Sequence, residues 1–331
     1  MAIGLWRLLK QYGYNSSTYT ALNAAPATQA EGTVQPLDGI DPDLPGSANI
    51  ARIKQFANSY SCEVVNFSLS IITERAAFES LLIQEELDRL RAKQRVRFTN
   101  RKYSDHWRDL RIAGLMRDLD TNLVLFFSTY FAVPKNEEVA RAIFNGKELS
   151  SLFRPPGSVN LLDPPSLIRK VQEWYTAAKG EVFVVNGDIR HWFHLIPLHP
   201  EIQRYFGLHM GDVDGTSSVW TSLPMGWSWS PFVSQALAYS LLAYRRCEPA
   251  AADAKQPATP CPHHWNPIDL SGLTNDKLPQ FLPIHDREGK EVGFACVYYD
   301  NYFALSTSEE VAEHIAEMIP ANAEHLDITI K

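Results

Sequence analysis

The stretch Phe294-Ala-Cys-Val-Tyr-Tyr-Asp-Asn-Tyr-Phe-Ala-Leu305 constrains the chain more than any other. On either side of Asp300-Asn301 the residues are apolar, aromatic or β-branched, so they read as two short strands. Two adjacent Asx residues are good turn chemistry, and a tight hairpin follows. Strands with so few polar positions look buried on both faces. The tip therefore carries a carboxylate on a dry scaffold, which is costly unless something positive meets it. From this stretch alone an ordinary turn and a functional one both stay open.

A second carboxylate follows another apolar run. Val182-Phe-Val-Val185 reads as a short buried strand, and Asn186-Gly187-Asp188 comes next. Asn-Gly favours a type I′ turn. The alternative leaves Asp188 at the C-terminal end of the strand, where ligands are met in many α/β sheets. Further on, Leu223-Pro-Met-Gly-Trp-Ser-Trp-Ser-Pro231 is a loop by its Pro and Gly. Ser230 suits an N-cap and Pro231 a first helical turn, and Phe232–Tyr244 is expected to be helical. Two carboxylates from separate strands, brought side by side, form oxygen-rich ground for Mg²⁺. Two such ions about 3.5–4 Å apart drive in-line phosphoryl displacement.

Cations cluster elsewhere. Between Arg89 and Arg111 the basic residues include Arg95, Arg97 and Arg101, interleaved with Phe98, Tyr103 and Trp107. Arg and aromatic side chains together suit phosphate contacts and base stacking; a solvated helix face has the same composition. Phe131–Lys135 and Arg141–Leu149 read as two strands around a polar turn. Lys135 and Arg141 on such a hairpin are either surface cations or a grip for a triphosphate.

The chain has 331 residues, of which 45% are hydrophobic, enough for a sizeable core and about two domains. A net charge of -7 argues against a wholly basic nucleic-acid coat. The four cysteines, Cys62, Cys247, Cys261 and Cys296, are irregularly spaced. They imply no disulfide framework, and an intracellular setting, cytoplasm or nucleus, is expected. The apolar run Leu123–Val133 is too short to span a bilayer, so no membrane is expected as a partner. Residues 1–48 read as an extension and linker, 49–120 as a helical, basic region, and 121–331 as the main domain, interrupted by an Ala-, Pro- and His-rich stretch over 245–290. Within that stretch Cys261, His263 and His264 lie close together, without a second ligand pair at zinc-finger spacing.

In order and spacing, these pieces resemble the reverse transcriptase of a retroelement. Asp188-Ile-Arg-His-Trp-Phe193 resembles the family's motif A, an Asp followed five residues later by an aromatic. Leu223–Pro231 resembles motif B, Leu-Pro-Gln-Gly-x-x-x-Ser-Pro. Tyr298-Tyr-Asp-Asn301 resembles motif C, Tyr-x-Asp-Asp. Phe131–Lys135 with Arg141–Leu149 resembles the fingers hairpin. Glu309–Ile319 followed by Leu326–Lys331 resembles the helix and strand of motif D. The match runs from about 123 to 331, and motifs B and C in that order are its specific part. The Trp-Ser-Trp-Ser form and the long insertion are similar to divergent retroelements of the tyrosine-recombinase (DIRS, Ngaro or VIPER-like) type.

The resemblance implies an α+β fold: right-hand polymerase fingers and palm, with an antiparallel palm sheet backed by helices and the thumb absent. It implies an RNA-directed DNA polymerase that transfers a nucleotide from a dNTP to a primer 3′-hydroxyl on an RNA or DNA template. Asp188 and Asp300, with Asn301 and the Ile189 carbonyl, would hold two Mg²⁺ ions, with Mn²⁺ as an alternative. Lys135 and Arg141 would bind the triphosphate. Phe193 would lie beneath the sugar and exclude a 2′-hydroxyl, and Met225 and Gly226 would face the nucleotide. Arg95, Arg97 and Arg101 are expected to contact nucleic acid. The sequence departs from the pattern at three points. Asn301 replaces an Asp and Met225 a Gln. The chain also stops at motif D, so the thumb and RNase H are expected elsewhere in a polyprotein. Two other functions compete: a degenerate palm that binds nucleic acid without catalysis, and a helical nucleic-acid-binding protein working through 89–111.

Overall fold

The computed structural model of the chain describes residues 47–59, 62–93, 104–134, 140–157, 162–213, 215–242, 265–273 and 278–331. Five helices come first: α1 (Ile50–Ser59), α2 (Glu63–Thr73), α3 (Arg75–Ser80), α4 (Gln84–Lys93) and α5 (Ser104–Ile112). Then follow β1 (Met116–Asp120), β2 (Phe127–Pro134), β3 (Ala140–Asn145), α6 (Lys147–Ser150), α7 (Pro164–Ala177) and β4 (Phe183–Asp188). Short helices α8 (Trp192–Leu195) and α9 (Pro200–Gln203) lead to β5 (Gly207–Val213), β6 (Thr216–Trp220) and α10 (Ser230–Ala238). The chain closes with β7 (Leu282–His285), β8 (Glu291–Tyr298), β9 (Asn301–Ser306) and α11 (Glu309–His325).

The strands form two sheets, ordered β1-β6-β5-β2-β3 and β4-β9-β8-β7. All pairings are antiparallel except the short parallel contact of β2 with β5. The fold is mixed α+β with antiparallel-rich sheets. Among the described residues no helix is long and apolar enough to cross a membrane.

The four-stranded sheet is covered on both sides, as the run of apolar residues in β8 requires. Leu167, Val171 and Trp174 of α7 pack on Phe294, Cys296 and Leu305 on one face. Ala295, Val297 and Ala304 on the other face join the main core with Val311, Ile315 and Ile319 of α11. Residues Glu291 and Tyr298 at the ends of β8 are exposed, and the six between them are buried. Helix α10 is buried along its whole length and packs against α2.

Several local expectations change in the fold. Asn186-Gly187 makes no turn; β4 runs straight through both to Asp188, paired with β9. Pairing overrides local turn chemistry here, and the space beside Gly187 is taken by a neighbour: a Cβ there would lie 2.3 Å from the Tyr302 hydroxyl and displace that ring. The turn of the β8–β9 hairpin is Tyr299-Asp300, because Tyr298 pairs with Asn301. Ser230 is not the N-cap of α10; Trp229 holds that position, and the Ser230 hydroxyl donates back to the Pro224 carbonyl at 2.6 Å. Residues Arg141–Leu149 divide into strand β3 and helix α6. Helix α11 passes through Pro320, because burial of Met318, Ile319, Asn322 and Ala323 outweighs the backbone bond that proline removes. The tail of the 245–290 stretch belongs to the fold: β7 pairs with β8, and Ile268 bridges to Ile284.

Candidate active site

Two backbone features bring the residues that carry the predicted carboxylates to one end of the sheet. Strand β4 ends at Asp188, whose register partner on β9 is Asn301. One residue further, the Ile189 N–H donates to the Asp300 carbonyl at 2.5 Å. Asp188, Ile189, Asp300 and Asn301 thus converge at one end of the sheet, though 112 positions separate Asp188 from Asp300 in sequence, from 188 to 300. Both Asp residues are half-buried. The Asn301 amide N–H donates to Asp300 Oδ1 at 2.8 Å, which leaves its carbonyl oxygen turned away from that carboxylate.

The donor set is oxygen-rich and hard: two carboxylates, an amide oxygen and backbone carbonyls, the chemistry that Mg²⁺ prefers. The site also attracts a cation of its own. Lys331 Nζ lies 3.5 Å from Asp188 Oδ2, and its backbone N–H donates to the Asp188 carbonyl at 2.9 Å. The same closing segment bridges Ile330 to Ile189, and Arg190 N–H donates to the Thr329 carbonyl. Among the described residues there is no group of three or more His, Cys, Asp and Glu side chains placed to share a metal. A metal here would therefore rest on the two Asp carboxylates, with the amide and main-chain oxygens completing its shell.

The hairpin tip is strained. Tyr299 has φ of 54°, the left-handed region, where a bulky aromatic is an outlier. Its ring lies 6.1 Å from that of Phe193, which is half-buried against the main core. Burial first, and then the nearby Tyr298, push the Tyr299 phenol up to about 12, so it stays protonated at neutral pH. Phe193 thus stands beside the hairpin that carries Asp300, five residues after Asp188 as the sequence requires.

The loop Leu223–Pro231 is bolted to the base of the β2–β3 hairpin. Gly226 has φ of 126° and is exposed; a Cβ there would lie 2.3 Å from the Phe144 carbonyl oxygen. From the opposite side, a Cβ on Gly146 would lie 2.3 Å from the Gly226 oxygen. Ser228 N–H donates to Ser150 Oγ at 2.9 Å, and Trp229 Nε1 donates to the Arg154 carbonyl at 2.8 Å. Met225, half-buried, sits in this loop beside Gly226. Arg141 stands on β3 opposite Val133 of β2, on the hairpin rooted at this lock. Lys135 lies outside the described residues, as do Arg95, Arg97, Arg101, Cys261, His263 and His264.

Sequence reasoning missed the residues that hold the site in place. Trp192 Nε1 donates to the Ser234 carbonyl at 3.0 Å and so ties the segment after Asp188 to α10. Gln235, one turn into α10, reaches the β8–β9 hairpin. A signal for Gln235 was present: apart from Ser234, Tyr239 and Ser240 it is the one polar side chain from Pro231 to Leu242, and a long amide in a buried helix needs a specific partner.

No family model matches the chain, and no curated protein matches it. Among solved structures, the chain is similar to prototype foamy virus protease-reverse transcriptase (CSH mutant) at 15% identity and a TM-score of 0.43. That alignment covers 72% of this chain and 24% of the viral chain. It is also similar to foamy viral protease-reverse transcriptase in complex with dsDNA, at 16% identity and a TM-score of 0.42, with 72% of this chain and 38% of the viral chain covered. The chain thus spans well under half the length of the solved structures it resembles.

Proposed function

We propose that the chain is the fingers and palm of an RNA-directed DNA polymerase of a mobile element. The observation that carries this reading is the convergence of Asp188 and Asp300 at one sheet end, locked by the Ile189–Asp300 backbone bond of 2.5 Å. The pairing of β4 with β9, from Phe183 opposite Ser306 to Asp188 opposite Asn301, joins these two segments and sets both carboxylate-bearing residues at the same sheet end.

In this reading Asp188 and Asp300 hold divalent magnesium, assisted by the Ile189 carbonyl and the Asn301 amide oxygen. Bound there, the metal supplies charge to stabilise an in-line displacement at phosphorus. The Phe193 ring, beside Tyr299, forms the floor under the incoming sugar and leaves no room for a 2′-hydroxyl. Gly226, exposed on the loop, offers its main chain to the nucleotide, while the side its Cβ would occupy is closed by the Phe144 carbonyl. Lys135 and Arg141 meet the triphosphate by charge and bidentate hydrogen bonds. Lys331 Nζ, 3.5 Å from Asp188 Oδ2, would compete with a divalent cation for that carboxylate.

A specific observation favours the competing reading, a palm that binds nucleic acid without polymerising. Asn301 brings no charge, and its amide is tied to Asp300. Primer extension on a primed RNA template with Mg²⁺ or Mn²⁺ separates the two. Extension by the chain, supplemented with a thumb if needed for duplex retention, is expected to fall by at least about 10³-fold in Asp188→Asn and in Asp300→Asn. Template binding with no extension under either metal selects the degenerate palm; extension that survives both substitutions defeats the site assignment.

A further inference from the structure

Gln235 is 1% exposed, and its amide spans two main-chain groups of the Asp300 hairpin. Its Nε2 donates to the Val297 carbonyl at 2.6 Å, and its Oε1 accepts from the Tyr299 N–H at 2.8 Å. The two backbone groups flank Tyr298, at the place where β8 ends and the chain enters the left-handed conformation of Tyr299. Neither group is satisfied by the β8–β9 ladder: with Tyr298 paired to Asn301, the turn is only two residues long. The Tyr299 N–H is part-buried, and without Gln235 it would bear part of the desolvation penalty of an unmade bond. A Tyr at φ of 54° persists only where its surroundings over-determine it.

The anchoring end is equally fixed. Gln235 lies next to Ser234, whose carbonyl accepts from the Trp192 indole. Consecutive residues of α10 therefore hold the two carboxylate-bearing segments: Ser234 the one after Asp188, Gln235 the one before Asp300. We infer that Gln235 is a positioning residue, a two-sided clamp that sets the strained Tyr299 turn and thereby aims Asp300 toward Asp188. The inference deepens the polymerase reading and rests on Asp300 being a metal carboxylate. The clamp itself is a matter of backbone geometry.

The test uses the full chain and has two readouts. Amide hydrogen exchange over 296–302 reads the clamp without metal; Mn²⁺ binding, followed by electron paramagnetic resonance, reads its consequence. Gln235→Met keeps length and burial but removes both bonds. It is expected to speed exchange at the Tyr299 amide by about tenfold or more while α11 is unchanged. Mn²⁺ affinity should fall by about tenfold as well. Tyr299→Gly in the same background is the diagnostic arm. Glycine adopts the left-handed turn without strain, so Mn²⁺ affinity should recover, whereas a loss caused by core packing would not. If Gln235→Met fails to fold, Gln235→Asn takes its place. It keeps the amide but is one methylene shorter and cannot reach both main-chain groups, and a hairpin with wild-type exchange and wild-type Mn²⁺ affinity in that variant overturns the two-sided clamp. Unchanged exchange at Tyr299 in Gln235→Met, or no recovery with Tyr299→Gly, likewise overturns it. Asp300→Asn separates this inference from the polymerase reading. Loss of Mn²⁺ binding there establishes the metal site on its own. A wild-type chain that binds no Mn²⁺ sinks the polymerase reading and the aiming of a metal carboxylate with it, and the exchange arm then reports the turn alone.

Discussion

At the residue scale the site is flanked by a histidine held neutral. His194 lies on α8, six residues after Asp188, with its ring against His191 at 6.1 Å and Trp220 at 5.9 Å. Its Nδ1 is buried without a partner. Burial, and then the neighbouring His191, lower its pKa from 6.5 to about 4. The unfolded chain, with an ordinary imidazole, therefore binds more protons than the folded chain between these values. Linkage makes stability rise with pH over that interval. The contribution is fully present above about pH 6.5 and is lost as pH falls towards 4, by at most about 3 kcal/mol. Urea midpoints measured from pH 7 to pH 4 should drop less steeply in His194→Leu than in wild type. Parallel curves would show that His194 does not set the acid limit.

At the element scale the decisive contact is glycine on glycine. Gly146, at the root of the β2–β3 hairpin, and Gly226, in the loop before α10, approach so closely that neither tolerates a Cβ. At Gly226 the clash is with main-chain oxygen, which cannot rotate away, and the φ of 126° adds strain for any L side chain. Gly226→Ala is therefore expected to cost about 1–3 kcal/mol, more than a surface Gly→Ala exchange, and to shear the loop from the hairpin root. Thermal unfolding measures the first effect. For the second, limited proteolysis should show faster cleavage near residues 144–154 and 223–230. A variant as stable as wild type and equally resistant would mean that the lock gives way at no cost. The same contact explains why α6 starts directly after β3: the chain must turn at Gly146 to pass the loop.

At the scale of the whole molecule, an acidic chain of net charge -7 is read as gripping a polyanion through local patches. Arg95, Arg97 and Arg101 belong to the densest of these in sequence. Replacing all three by Ala should lower affinity for a primed template and flatten the salt dependence, each lost phosphate contact removing roughly 0.7–0.9 from the slope of log K against log salt. Binding measured between low and moderate salt checks this, and an unchanged slope assigns the stretch to a solvated helix face. Arg111, at the end of the same basic stretch, already has partners: its guanidinium donates to Asp118 Oδ1 at 3.0 Å and to Ser218 Oγ at 2.6 Å.

By itself the sequence determined the strands of the β8–β9 hairpin, the helices that open the region 49–120, and the loop entering α10. Each rests on local pattern: β-branched and aromatic runs, apolar periodicity, and proline at a first turn. Asp188 and Asp300 were legible as candidates because each is a carboxylate set beside a buried apolar run; Phe193 and Gly226 became candidates only through the family resemblance. Tertiary structure alone decided that Asn186-Gly187 is strand, since a ladder of bonds to β9 outweighs a two-residue turn preference. It moved the hairpin tip to Tyr299-Asp300, because register is set by pairing across strands rather than by the most turn-prone dipeptide. It carried α11 through Pro320 on the strength of buried side chains. It also supplied the supports of the site, the Gln235 bonds, the Trp192–Ser234 bond and the Gly146–Gly226 contact. Each of these joins segments distant in sequence through a main-chain group that every residue possesses, and residue types cannot encode which main-chain group a partner will find.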